Sequence, residues 1–124
     1  MHRHLHFACR VGAATALVIA AIGAAHAQNS HPTRNVRMIV PFTPGGGADL
    51  HARTLGMALS TLWSRSVVID NRGGAGGGVA ASAVASSEPD GHTIFFATHP
   101  ILSINPELYR KLSYDPVKDF APVV

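Results

Sequence analysis

Apolar positions along the 124-residue chain follow two different patterns. From Val11 to Ala25 they form a 15-residue stretch, preceded by Arg3 and Arg10 and followed by Ala25-His26-Ala27. Beyond the polar Gln28–Asn35 they come in short bursts separated by glycine and proline. Val36-Arg37-Met38-Ile39-Val40-Pro41-Phe42 is β-rich and mostly apolar, which predicts a buried strand. It stops at the breaker cluster Thr43-Pro44-Gly45-Gly46-Gly47. From Ala48 the period changes. Ala52, Leu55, Leu59 and Leu62 recur at spacings of three and four, predicting one buried face of a helix that runs to about Trp63.

A second strand is predicted at Ser66–Asp70, followed by the glycine-rich Asn71–Gly78 and an alanine-rich helix over Val79–Ser87. Glu88-Pro89-Asp90-Gly91 is turn chemistry, with proline fixing φ and glycine free to take φ > 0. His92–Ala97 reads as a third strand. Ile101–Tyr109 reads as a short helix interrupted by Pro106, and Asp115–Phe120 as a helical turn before a further strand at Ala121. The order β-α-β-α-β implies a parallel sheet with right-handed crossovers. Such sheets hold ligands beyond the carboxyl ends of their strands. All three strands end in breaker-rich loops, Thr43–Gly47, Asn71–Gly78 and Thr98–Pro100, so these loops are expected to share one edge.

Composition changes the reading of the N-terminal part. A basic start, a short apolar run and an A-x-A site describe a secretory signal peptide cleaved after Ala27. The run falls short of the ~20 apolar residues that a membrane span needs. Cleavage leaves 97 residues, a polar lead-in over 28–35 and a domain from 36 to 124. The net charge of +3 falls to about +1, because Arg3 and Arg10 leave with the signal. No Lys/Arg run remains to follow a phosphate backbone, so no nucleic-acid partner is expected. Cys9 precedes the apolar run, where no lipoprotein cysteine would stand, and the mature chain has no thiol.

The first loop leads straight into a helix start. First-turn N–H groups lack internal partners and carry the positive end of the helix dipole. Three glycines let a ligand approach that backbone closely, which suits an anion such as a carboxylate. The same glycines also make an ordinary tight turn. A nucleotide P-loop requires Lys-Ser/Thr after its last glycine, whereas Gly47 is followed by Ala48-Asp49. Asp49 suits the helix N-terminus or accepts from a ligand ammonium or hydroxyl. Gly76-Gly77-Gly78-Val79-Ala80-Ala81 fits the G-x-G-x-x-A variant of the dinucleotide fingerprint, but it follows the second strand. The ribose-binding acid is missing too, since no acid lies between Asp90 and Glu107. A dinucleotide-dependent enzyme fragment is therefore the weaker alternative. His31, His51, His92 and His99 show no metal-ligand spacing, and no nucleophile elbow occurs. No metal, cofactor or catalytic residue is expected.

Val36–Asp49, through Pro41-Phe42-Thr43-Pro44-Gly45-Gly46-Gly47-Ala48-Asp49, resembles the first strand and loop of the Bug family. These are periplasmic receptors of tripartite tricarboxylate transporters. The likeness continues through Val68-Ile69-Asp70-Asn71-Arg72, Gly74-Ala75-Gly76-Gly77, Pro89-Asp90-Gly91, Ile104–Tyr109 and Tyr114–Val123. The resemblance implies a type II periplasmic binding fold of two domains that close over a small, usually carboxylated solute. Only part of the first domain would be present here, with the second missing. Family members hold the carboxylate largely through backbone amides and bridging waters. By position, the contacts would come from Phe42, Thr43, Gly46, Gly47, Ala48 and Asp49, then Gly76 and Gly77, then Thr98 and His99. The implied protein is a monomer that hands its solute to membrane transporter subunits and catalyses nothing. The alternative within this family is a truncated remnant without function. Gly73, Gly78 and Ala80 stand where the family often has proline, asparagine and glycine. His99-Pro100 is bulkier than the usual third loop. A chain supplying one wall of a two-walled cleft is expected to bind weakly or not at all by itself.

Overall fold

The computed structural model describes residues 31–123. The expected signal peptide, its cleavage after Ala27, Cys9 and the first part of the lead-in lie outside the described residues.

The first strand, β1 (Val36–Val40), pairs on both sides. Its neighbours are β2 (Val67–Asn71) and β3 (Thr93–Phe95), all parallel, in the order β2-β1-β3. The register sets Val36 opposite Val67 and Val40 opposite Asn71 on one side, and Arg37 opposite Thr93 on the other. Helix α1 (Gly47–Trp63) joins β1 to β2, and helix α2 (Gly78–Ala85) joins β2 to β3. The second crossover reverses direction along the sheet, so a constant right-handed turn puts the helices on opposite faces. The packing agrees. Met38, Val40 and Ala52 form one cluster with Leu59, Val67, Ile69 and Phe96. Ala81, Ile101 and Tyr114 form another with Ala85, Phe95, Leu112 and Phe120. Val36, Met38, Ile39 and Val40 are almost wholly buried, as a central strand covered on both faces should be.

Several boundaries and one face differ from the sequence expectation. β1 stops at Val40 rather than Phe42, because Pro41 has no N–H to continue the ladder. The last bond on that side is Arg72 N–H to the Val40 carbonyl, 2.8 Å. The buried stripe of α1 is Asp49, Ala52 and Gly56, with Leu59 half-buried, while Leu55 and Leu62 are 43% and 76% exposed. Small residues win this face since the helix lies close to the sheet. A Cβ at Gly56 would come within 3.1 Å of the Ile69 side chain. Pro106 does not interrupt a helix. It sits in the first turn of α3 (Asn105–Leu108), where a missing N–H costs nothing, after a π-helical turn over Pro100–Ile104. Residues 121–123 form no strand.

The described part of the lead-in, residues 31–35, is anchored to the fold. Thr33 N–H donates to Nε2 of the buried His92 at 3.2 Å, so that nitrogen carries a lone pair and the ring proton sits on Nδ1, 3.1 Å from the Asp90 carbonyl. Arg34 adds an exposed 2.6 Å pair with Asp90, and Asn35 Oδ1 accepts the Ser66 N–H.

Met38→Ala should lower unfolding free energy by about 2–5 kcal/mol through lost burial and a residual cavity. Leu62→Ala, on the exposed side of α1, should change it by less than about 0.5 kcal/mol. Urea denaturation followed by circular dichroism compares the two.

Candidate ligand-binding edge

Parallel strands send their chain exits to one edge, so the segments after β1, β2 and β3 meet there. Gly73, after β2, packs against Thr43, after β1. A Cβ at Gly73 would lie 3.7 Å from the Thr43 nitrogen. Gly77 is buried with φ +89°, and a Cβ there would collide with Ile101 and come within 3.3 Å of Pro41. Glycine is required at this point for both reasons, conformation and close approach. The segment after β3 joins through Ile101, whose N–H donates to the Thr98 carbonyl at 3.0 Å. Buried Asn105 then donates from Nδ2 to the Gly76 carbonyl at 3.0 Å and to the Tyr114 hydroxyl at 3.3 Å. That hydroxyl donates onward to the Ile101 carbonyl at 2.6 Å. A buried polar chain thus fixes the second loop to the third segment, every member satisfied.

The first loop is organised from inside. Gly45 takes φ +87°, and Gly46 stands at the N-cap of α1 with no side chain to cap it. The first intrahelical bond from this end is Leu50 N–H to the Gly46 carbonyl, 3.0 Å. The amides of Gly47, Ala48 and Asp49 therefore have no intrahelical acceptor. Thr43, Gly46 and Gly47 are exposed and Ala48 half-exposed, so the Gly47 and Ala48 donors belong to residues open to solvent.

Asp49 is not at that surface. It is 4% exposed, and Oδ2 accepts the Gly45 N–H and the Arg53 Nε–H, each at 2.9 Å, while Oδ1 accepts from Asn71 Nδ2 at 2.9 Å. The Arg53 guanidinium first, and then the Gly45 amide, hold its carboxyl down to about 2 from the ordinary 3.8. It stays ionised, with its charge neutralised internally by Arg53 and the helix dipole. Both carboxylate oxygens thus face protein donors, which gives this side chain an internal role beneath the loop.

Of the other residues expected at the site, Phe42 is exposed at the rim with its carbonyl taken by Asn71, 3.1 Å away. Gly76 is exposed and Gly77 is covered by Ile101. Thr98 is half-buried and His99 exposed, at the start of the π-helical turn. The three segments are brought together, but Asp49 and Gly77 lie beneath their surface. Arg53, Asn71, Asn105 and Tyr114 were missed by sequence reasoning. An i,i+4 acid–base pair signals Arg53 in principle. The others act through partners distant along the chain. A recess of about 360 Å³ opens beside the second loop, between Ala75, Gly78, Val79 and Tyr109. Among the described residues no three His, Cys, Asp or Glu side chains cluster to hold a metal, and no helix is long and apolar enough to cross a membrane.

This is the arrangement of a periplasmic binding protein lobe. Solved structures of that class match the fold: periplasmic binding protein BugD at TM-score 0.70 and 39% identity, covering 75% of this chain and 31% of BugD. A second, MatC from Rhodopseudomonas palustris with bound malate, matches at TM-score 0.66 and 37% identity over 74% of this chain and 31% of MatC. A UPF0065 protein of Bordetella bronchiseptica is 39% identical over 110 residues, 89% of this chain and 32% of the relative. The family model for the tripartite tricarboxylate transporter family receptor matches residues 51–124, more than half of the chain. The chain belongs to this receptor family, which bears out the Bug-like reading of its loops. It spans about a third of the length of the relatives it matches.

Acid should erode the fold through its ion-paired aspartates. Asp49 and Asp90 are both held at about 2, below their unfolded value, so their contribution is complete above about pH 4 and disappears as pH falls through 2. Thermal melting between pH 7 and pH 2 should show this loss. Asp49→Asn should lower the melting temperature at pH 7 and flatten the profile below pH 4. Gly77→Ala should destabilise the chain strongly at every pH, since it meets both the Ile101 contact and a left-handed φ.

Proposed function

We propose that this chain is the N-terminal part of an extracytoplasmic receptor that captures a small carboxylate and delivers it to a tripartite tricarboxylate transporter. One observation carries the reading: three loops meet at the carboxyl edge of a parallel sheet, and the first of them leads into the uncapped first turn of α1. Family membership supports it, and so does the malate bound to the similar MatC.

In this reading the amides of Gly46, Gly47 and Ala48 donate to a ligand carboxylate, aided by the positive end of the helix dipole. Phe42 and Thr43 form the rim, Gly76 and Gly77 shape the second side, and Thr98 and His99 bound the third. Asp49 supports the cradle from below instead of touching the ligand. Among the described residues, the cation at the first loop, Arg53, is engaged by Asp49, so recognition rests on oriented amides. The solute is bound and released unchanged, and no cofactor takes part. The basic, apolar, A-x-A start directs the chain to the periplasm, where it acts as a monomer.

The test is an NMR titration of the processed chain from Gln28 with malate. Shifts should concentrate in the amides of Gly46–Ala48 and appear only at millimolar concentration, a binding free energy of about −4 kcal/mol. Malate diamide, which lacks the charge, should leave them unmoved. Equal shifts with the diamide, or shifts confined to residues away from the three loops, would refute the carboxylate cradle. A response of Gly76–Ala81 to a nicotinamide dinucleotide would favour the enzyme reading instead.

A further inference from the structure

We infer that Asn71 is the positioning residue of this site: its side chain pins both ends of the first loop and ties that loop to the second. The inference rests on the receptor reading for what the loop binds, but not for how the loop is held.

Asn71 closes β2, opposite Val40. Its Nδ2 donates one hydrogen to the Phe42 carbonyl at 3.1 Å and the other to Asp49 Oδ1 at 2.9 Å. Phe42 enters the loop and Asp49 leaves it, so a single nitrogen fixes the span between them. The amide oxygen accepts from Arg53 Nη2 at 3.3 Å, which holds the side chain in the orientation that aims both hydrogens. From inside the span, Asp49 Oδ2 holds the Gly45 N–H. Directly after Asn71, Arg72 N–H bonds the Val40 carbonyl and Gly73 packs on Thr43, so the second loop starts from the same point.

Neither aspartate nor serine reproduces this set. Both donors and the acceptor are used, and each partner is an acceptor or donor of the right kind. Aspartate would bring a second carboxylate against Asp49 and face the Phe42 carbonyl with no hydrogen to give. Serine offers one donor where two are needed. Asn71 reaches the exposed amides of Gly47 and Ala48 only through the loop, so it sets their position without touching a ligand.

The experiment is amide hydrogen exchange and NMR on the processed chain, comparing wild type with Asn71→Ala and Asn71→Asp. In Asn71→Ala, exchange at Gly45 should quicken about tenfold and the Thr43–Ala48 shifts should move, as expected for the loss of charge-assisted bonds. The cross-strand amides of Val36, Arg37 and Phe96 should keep their protection. Asn71→Asp should loosen the loop more at pH 7 and regain order as acid protonates one carboxyl of the new pair, which restores an O–H donor. A residue that merely filled space would show no such pH rescue. The Gly46–Ala48 response to malate should weaken at least about tenfold in Asn71→Ala, in step with the loop. If the wild type ignores malate while Asn71→Ala loosens the loop alone, malate capture by this lobe by itself is refuted and the positioning role stands. Unchanged exchange at Gly45, or loss of protection across β1 as well, overturns the inference.

Discussion

The burial of β1 is the constraint from which the other elements take their places. This five-residue strand is paired on both edges and covered on both faces. Parallel pairing on each side sends every chain exit to the same end of the sheet. Both helices are held by what β1 and its neighbours offer them: Met38 and Val40 receive Ala52 of α1, and the opposite face receives Ala81 of α2. Small residues at these contacts bring the helices close enough for their termini and loops to meet over the strand ends. Pro41 then ends the strand at the point where pairing must give way to a loop.

The edge built there is made of backbone, held by side chains that face inward. Asp49 and Asn105 are both buried and hydrogen-bonded, one beneath the first loop and the other beneath the second. Buried polar groups with every partner present specify one arrangement, since any shift would strand a donor or acceptor away from water. The charge of Asp49 is matched by Arg53, and the amides of the α1 first turn are left without intrahelical acceptors. In the proposed receptor reading, such an edge attracts an anion through its amides rather than through a formal positive charge. It gains selectivity from geometry, because amide donors are fixed in direction where a flexible lysine is not.

Much of this was legible in the residues themselves. β-rich and apolar runs over 36–42, 66–70 and 92–97 announced strands, and Gly/Pro clusters announced the loops between them. The change of period at Ala48 announced α1, and strand-helix alternation implied a parallel sheet and its ligand edge. The ordered series of loop motifs pointed to the receptor family that the comparisons show. These features depend on backbone preference and on repeat distances of a few residues, so a linear reading captures them.

Tertiary structure decided the rest, for one physical reason: a side chain's role depends on partners that sequence spacing does not reveal. Leu55 and Leu62 fit the helical period as well as Gly56 does, yet the close approach of α1 to Ile69 selects the glycine for burial. Asp49 stood in a loop that suggested ligand contact, and three donors from Gly45, Arg53 and Asn71 turned it inward. Asn71 meets Phe42 across 29 positions, and His92 meets Thr33 across 59. Periodicity and turn chemistry determined which elements form and where their loops emerge. Packing determined which atoms face the loop edge and which hold it in place.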